Sequence, residues 1–166
     1  MNQSIPRIIF NFNDRCINGC PFCFLPYDGK GVGSIDEWRR VLKRISDFSP
    51  ELVSFSGCDP LYYSDFYELL ATEEKKTKWS IDSSLVYLDK DRFMKIANRI
   101  DLISTSIDDY PGMERKQRYS DRVFDTFCQN LDYVLTFKKN LIVRNYSVPP
   151  ESHNNLVVFQ RFYAEY

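Results

Sequence analysis

At 166 residues, 43% of them hydrophobic and 27% charged, the chain can bury one real core but falls short of the roughly 250 residues of a closed (β/α)8 barrel. A formal charge of −1 supplies no basic field for nucleic acid or an anionic membrane, and no run approaches the roughly 18–20 apolar residues of a membrane span. Residues 1–10 lack the charged start and apolar centre of a signal peptide, so the expected compartment is the cytosol.

Residues 7–13, rich in Ile and Phe, read as a first strand, followed by a loop over 14–33 that carries three cysteines and a Gly/Pro-rich turn. Ser34 and Glu37 form a capping box. After it Ile35, Trp38, Val41, Leu42, Ile45 and Phe48 fall at helical spacing, which predicts a helix to about residue 47, ended by Pro50. Residues 52–55 are the second strand, running into Ser56, Gly57, Cys58, Asp59 and Pro60. Ser64 is placed to cap a second helix with Phe66, Leu69 and Leu70 inward, and residues 73–76 read as its solvated end.

A third strand covers 79–84, and a third helix from about Asp89 turns Phe93, Ile96, Ala97 and Ile100 inward. Residues 102–107 form the fourth strand and 108–112 a turn. Ser120 opens a longer helix with Phe124, Phe127, Cys128, Leu131, Val134 and Leu135 on its apolar positions. A fifth strand begins at Leu141 and is stopped by Pro149 and Pro150, and a last helix starts near Ser152 with Leu156, Phe159, Phe162 and Tyr163 on one side. Strand and helix alternate five times, and the strands are apolar enough to be buried on both faces. The expected fold is α/β: a single domain over 1–166 with a parallel sheet curled by right-handed crossovers into a partial (β/α) barrel of about five to six strand–helix units.

Three of the five cysteines crowd into Cys16-Ile17-Asn18-Gly19-Cys20-Pro21-Phe22-Cys23. An odd count with such crowding argues against a disulfide framework and, in a reducing compartment, for metal. Three thiolates on one loop can hold three irons of a [4Fe–4S] cube and leave the fourth iron open. A zinc site is the alternative, but zinc normally takes four ligands, and the sole histidine, His153, is remote. In parallel α/β proteins ligands sit at the C-terminal ends of the strands, where this loop lies.

The C-x3-C-x2-C spacing, with the aromatic Phe22 before the third cysteine, resembles the signature of the radical S-adenosylmethionine (SAM) enzymes. That resemblance implies a [4Fe–4S] cluster on Cys16, Cys20 and Cys23, with SAM chelated to the open iron. Residues 57–60 resemble the family's Gly-Gly-Glu-Pro motif at the SAM amino group. Gly57 and Pro60 match, Asp59 stands for the Glu on a shorter arm, and Cys58 replaces the second glycine. An ordinary strand-to-helix turn is the alternative there. Ser83 and Ser84 occupy the place of a Thr-Asn pair near SAM, and either serine could equally serve a turn.

Residues 104–108 look like the Ser-Ile-Asp-Gly stretch of the peptide-modifying branch. There Ser106 is a candidate for a ribose hydroxyl and Asp108 for the same site or a turn. Arg144, ending the fifth strand, suits either the SAM carboxylate or a surface ion pair. Cys128 reads as core, the basic residues Arg115, Lys116 and Arg118 as a solvated loop, and His153 as a helix start.

The resemblance implies that the reduced cluster passes an electron to SAM and that the 5′-deoxyadenosyl radical so formed takes a hydrogen atom from a substrate, a peptide or protein by the branch resembled. It also implies an electron donor of flavodoxin or ferredoxin type, or a chemical reductant. The family core has six units where five are read here, so an open sheet edge is expected to be covered by the last helix, a partner chain or a bound substrate, and the protein to dimerise or work beside a partner. Two rivals remain: a non-catalytic relative that binds cluster, SAM or a partner, and a small zinc-binding interaction domain.

Overall fold

The computed structural model describes residues 5–11, 20, 23, 33–106, 121–137 and 140–144. Five strands, β1 (Ile8–Asn11), β2 (Leu52–Ser56), β3 (Lys78–Asp82), β4 (Leu102–Ser106) and β5 (Asn140–Arg144), form one sheet in the order β1-β2-β3-β4-β5, with every neighbouring pair parallel. The helices α1 (Ile35–Asp47), α2 (Ser64–Thr72), α3 (Lys90–Ile96) and α4 (Asp121–Leu135) fill the four crossovers. A strand order that never doubles back, with crossovers of one hand, puts every helix on the same side of the sheet. That is the winding of a barrel wall, as expected from the alternation.

The two faces of the sheet differ accordingly. Phe10, Val53, Phe55, Trp79, Ile81 and Ile103 point to the helices and join one core with Leu42, Phe66, Leu70, Phe93, Ile96, Phe124 and Phe127. Phe55 is its centre, with ring centroids of Phe66, Trp79 and Phe10 at 5.4, 5.7 and 6.1 Å. The alternate residues face the other way, and there the strands carry Asn11, Ser54, Ser56, Ser80, Asp82, Ser104 and Ser106. Both faces are buried, but they differ in polarity: on the side away from the helices buried serines alternate with apolar positions such as Leu52 and Leu102. Ser54 and Ser80, paired in register and both buried, share a hydroxyl–hydroxyl hydrogen bond on the polar side. Arg7 reaches Asp82 there at 3.5 Å.

Local signals explain most boundaries. Ser34 and Glu37 make the reciprocal capping box of α1: the Ser34 N–H donates to the Glu37 carboxylate at 2.7 Å, and the Glu37 N–H donates to the Ser34 hydroxyl at 3.3 Å. Trp38, Leu42 and Ile45 are buried on α1. Val41 and Phe48, expected on that face, are 43% and 63% exposed, because at 3.6 residues per turn both lie on its flank. Ser49, at φ 47°, ends the helix before Pro50.

Asp89 caps α3 by accepting the Arg92 N–H at 3.0 Å, as expected. Ser64 does not cap α2; Tyr63 holds that position without a side-chain bond, and Ser64 is the first helical residue. The far end of α2 is closed by Arg99, which donates to the carbonyls of Ala71 and Glu73 and lies over the Trp79 ring at 5.2 Å. Arg39 ties α1 to α2 through Glu68 and Glu73, at 3.2 and 3.0 Å. The third strand stops at Asp82, two residues short of its expected end. The turn at 108–112, Ser120 and the last helix lie outside the described residues.

Candidate cofactor site

Every strand delivers a candidate residue or loop at its C-terminal end, so the parallel sheet gathers on one rim what the sequence spreads over its length. Beyond β1, Cys20 is buried and Cys23 half-buried. The Cys23 N–H donates to the Cys20 carbonyl at 3.0 Å, so one tight turn carries both sulfurs. Soft thiolate donors on one turn fit an iron–sulfur cluster. Cys16 and Phe22 lie outside the described residues, and among those described no three His, Cys, Asp or Glu gather for a metal ion.

β2 ends in Gly57 at φ 103°, a left-handed backbone that favours glycine. Cys58 is buried behind it. Asp59 starts a short 3₁₀ turn, Pro60–Tyr62, with Pro60 at its first position, and its carboxylate accepts the Leu61 N–H at 3.1 Å. Tyr67 of α2 donates to the Leu61 carbonyl and accepts the Asp89 N–H, each at 3.1 Å, which locks this turn to the start of α3. Burial foremost pushes the Tyr67 hydroxyl far above its usual value, so it stays a neutral link.

Past β3 the chain brings Ser83 and Ser84 to Asp59. The Ser83 hydroxyl donates at 2.7 Å, the Ser84 N–H at 2.8 Å, and the Ser84 hydroxyl donates to the same carboxylate. The Ser83 N–H extends the ladder to the Ser104 carbonyl of β4 at 2.9 Å. Leu85, at φ 60°, takes the left-handed backbone that non-glycine residues seldom adopt, and Asn130 of α4 donates to its carbonyl at 2.8 Å. Sequence reasoning missed Asn130. Its signal was a polar residue between Phe127 and Val134 on the buried stripe of α4.

Ser106 is buried at the end of β4 and pairs in register with Arg144 at the end of β5, so these two positions are neighbours across the sheet. Asp108 lies outside the described residues, and of Arg144 the backbone place is what the structure gives. A cleft of about 250 Å³ opens on the helix side, between α1 and the link that follows α2, lined by Arg39, Arg40, Lys43, Glu73, Glu74 and Lys76. Its mixed charges and its place away from the strand ends separate it from this rim. No helix among the described residues is long and apolar enough to cross a membrane.

The family model described as Radical SAM superfamily matches residues 10–157, nearly the whole chain, and the chain belongs to that superfamily. The two cofactors of that superfamily are SAM and a [4Fe–4S] cluster. Among named proteins the chain is similar to the PqqA peptide cyclase of Rhodopseudomonas palustris, 30% identical over 95 residues, a stretch covering 55% of this chain and 25% of that one. The PqqA peptide cyclase of Granulibacter bethesdensis is 29% identical over 109 residues, 61% of this chain and 29% of that one. The chain thus matches about a quarter of the length of these curated relatives.

Its fold is shared with native anSMEcpe, solved with bound AdoMet and the Cp18Cys peptide: TM-score 0.66, 16% identity, covering 85% of this chain and 42% of that one. Streptococcus suis SuiB bound to the precursor peptide SuiA matches with a TM-score of 0.62 and 22% identity, over 87% of this chain and 40% of that one.

Proposed function

We propose that the chain binds a [4Fe–4S] cluster through Cys16, Cys20 and Cys23, holds SAM along the rim of strand ends, and removes a hydrogen atom from a peptide or protein. The observation that carries this is the cysteine triple placed directly after β1 of a singly wound parallel sheet, with its two described thiols on one turn. The named relatives and the neighbours solved with peptides support a peptide substrate. When bound and reduced, the cluster supplies the electron that cleaves SAM and so starts hydrogen-atom transfer.

The chain's own residues bind and orient. Cys16, Cys20 and Cys23 would hold the cluster as thiolates, with the aromatic Phe22 beside the third of them in sequence. Gly57, Cys58, Asp59 and Pro60 form the wall beneath the amino-acid part of SAM. Ser84 and Ser106, and Asp108 by its place in the sequence, are the candidates for its nucleoside, since hydroxyl and carboxylate groups suit ribose. Arg144, paired in register with Ser106, is the residue whose type suits the SAM carboxylate. An outside reductant of flavodoxin or ferredoxin type supplies the electron, and a second copy or a partner chain works beside this one.

The test is anaerobic reconstitution with iron and sulfide, reduction with dithionite, addition of SAM and chromatography for 5′-deoxyadenosine, beside a Cys20→Ala variant. Production that vanishes in the variant is the expected result. A cluster that forms without cleavage would leave a binding protein, and absence of a cluster would overturn the proposal.

A further inference from the structure

The Asp59 carboxylate is filled by its own chain. One oxygen accepts the Leu61 N–H and the Ser83 hydroxyl, at 3.1 and 2.7 Å; the other accepts the Ser84 N–H at 2.8 Å and the Ser84 hydroxyl. An ionised carboxylate has about four lone-pair sites, and each has a donor here. The two hydroxyls are themselves fixed from behind. Ser83 Oγ accepts the Leu85 N–H at 2.9 Å, and Ser84 Oγ accepts the Val86 N–H at 3.4 Å, which turns each hydroxyl proton toward Asp59. Asn130 then holds Leu85 from α4. One line of contacts therefore runs from α4 through residues 83–86 to the end of β2.

Building on the SAM site proposed above, we propose that Asp59 is a positioning residue. Its carboxylate clamps residues 83–86 against residues 57–61 and so shapes the wall of the SAM site, and it does not receive the ammonium of SAM. The residue is 6% exposed, and an arriving ammonium would have to displace a donor already in place. That exchange would free a Leu61, Ser83 or Ser84 donor in a buried place and leave it without a partner, which opposes the gain from the new ion pair. The longer arm of a glutamate at this position would carry the carboxylate past both serines and open the clamp.

The test compares wild type with Asp59→Glu, Asp59→Asn and Ser84→Ala. Amide hydrogen exchange on ligand-free protein reads the clamp directly. Exchange over residues 83–86 should rise by about tenfold or more in both Asp59 variants, the order expected when one or two buried hydrogen bonds are lost. Unchanged protection would overturn the proposal. On reconstituted protein, equilibrium dialysis reads the dissociation constants of SAM and of 5′-methylthioadenosine, which keeps the nucleoside and sulfur but lacks the amino acid. A clamp weakens both ligands by the same factor in every variant.

Loss of SAM alone in Asp59→Asn, or tighter SAM binding when Ser84→Ala frees a lone pair, would make Asp59 the ammonium site and overturn the proposal. A wild type that binds no SAM defeats the function proposed above, while the exchange result still decides the clamp.

Discussion

At the scale of single residues, the support of the site lies in positions that carry no chemistry. Leu85 holds a left-handed backbone at φ 60°, which costs a non-glycine residue roughly 1–2 kcal/mol. Its side chain is fully buried, and burial of a leucine returns about 1.5–3 kcal/mol, so packing outweighs the strain. Asn130 adds the donor that the turn needs. Asn130→Ala leaves the buried Leu85 carbonyl without it and should lower stability by about 1–3 kcal/mol in urea unfolding. Asn130→Asp keeps the shape but swaps donor for acceptor, and it should lose at least as much. An alanine variant as stable as wild type would show that this link contributes nothing. Cys128, on the same helix, stays outside the chemistry: burial first, then the charges of Asp132 and Asp125, push its thiol up and keep it protonated.

At the scale of elements, α1 shows how a cap becomes a pH response. The Ser34 N–H, and then its hydroxyl, donate to the Glu37 carboxylate and hold its pKa below the usual carboxylate value. A depressed folded pKa means that the unfolded chain binds the proton more readily. The contribution is therefore complete above the unfolded value, about 4.3, and fades as pH falls through the folded one. Stability of wild type relative to Glu37→Gln, followed by thermal unfolding, should be positive near pH 6 and shrink steadily below about pH 4. A difference that does not change with pH would remove the charge from the account of this cap. The group is exposed, so added salt should diminish the same difference.

At the scale of the molecule, one aromatic cluster joins sheet and helices. Phe55 is fully buried among Phe10, Phe66 and Trp79, which come from a neighbouring strand on either side and from α2. Phe55→Ala should cost about 3–5 kcal/mol. Domains of this kind are stable by about 5–15 kcal/mol, so the variant should unfold at a clearly lower urea concentration. An unshifted midpoint would mean that the core closes over the gap. The opposite sheet face gives the complementary lesson. Because all crossovers place their helices on one side, the large aromatic residues gather there, and the other side carries the buried serines Ser54, Ser80 and Ser104.

The sequence by itself determined the order of the elements, the capping box of α1, the cap of α3 and the cysteine spacing. Each of these is written in residues a few positions apart, where hydrogen bonding and helical periodicity act directly. It also led to the superfamily, because the cysteine triple and the turn at 57–60 are local patterns. The polarity of the second sheet face was readable as Ser54, Ser80 and Ser104, yet its meaning was not, since only the winding says which face meets the helices. Ser83 and Ser84 were singled out from the sequence, but their bonds to Asp59, and the roles of Leu85 and Asn130, were beyond reach for the same reason. Asp59 and Ser84 lie 25 residues apart, and Asn130 lies 45 beyond Leu85. Contacts over such separations exist only once the sheet has brought its strand ends to one rim and α4 has packed against them. Tertiary structure alone decided which donors fill the Asp59 carboxylate.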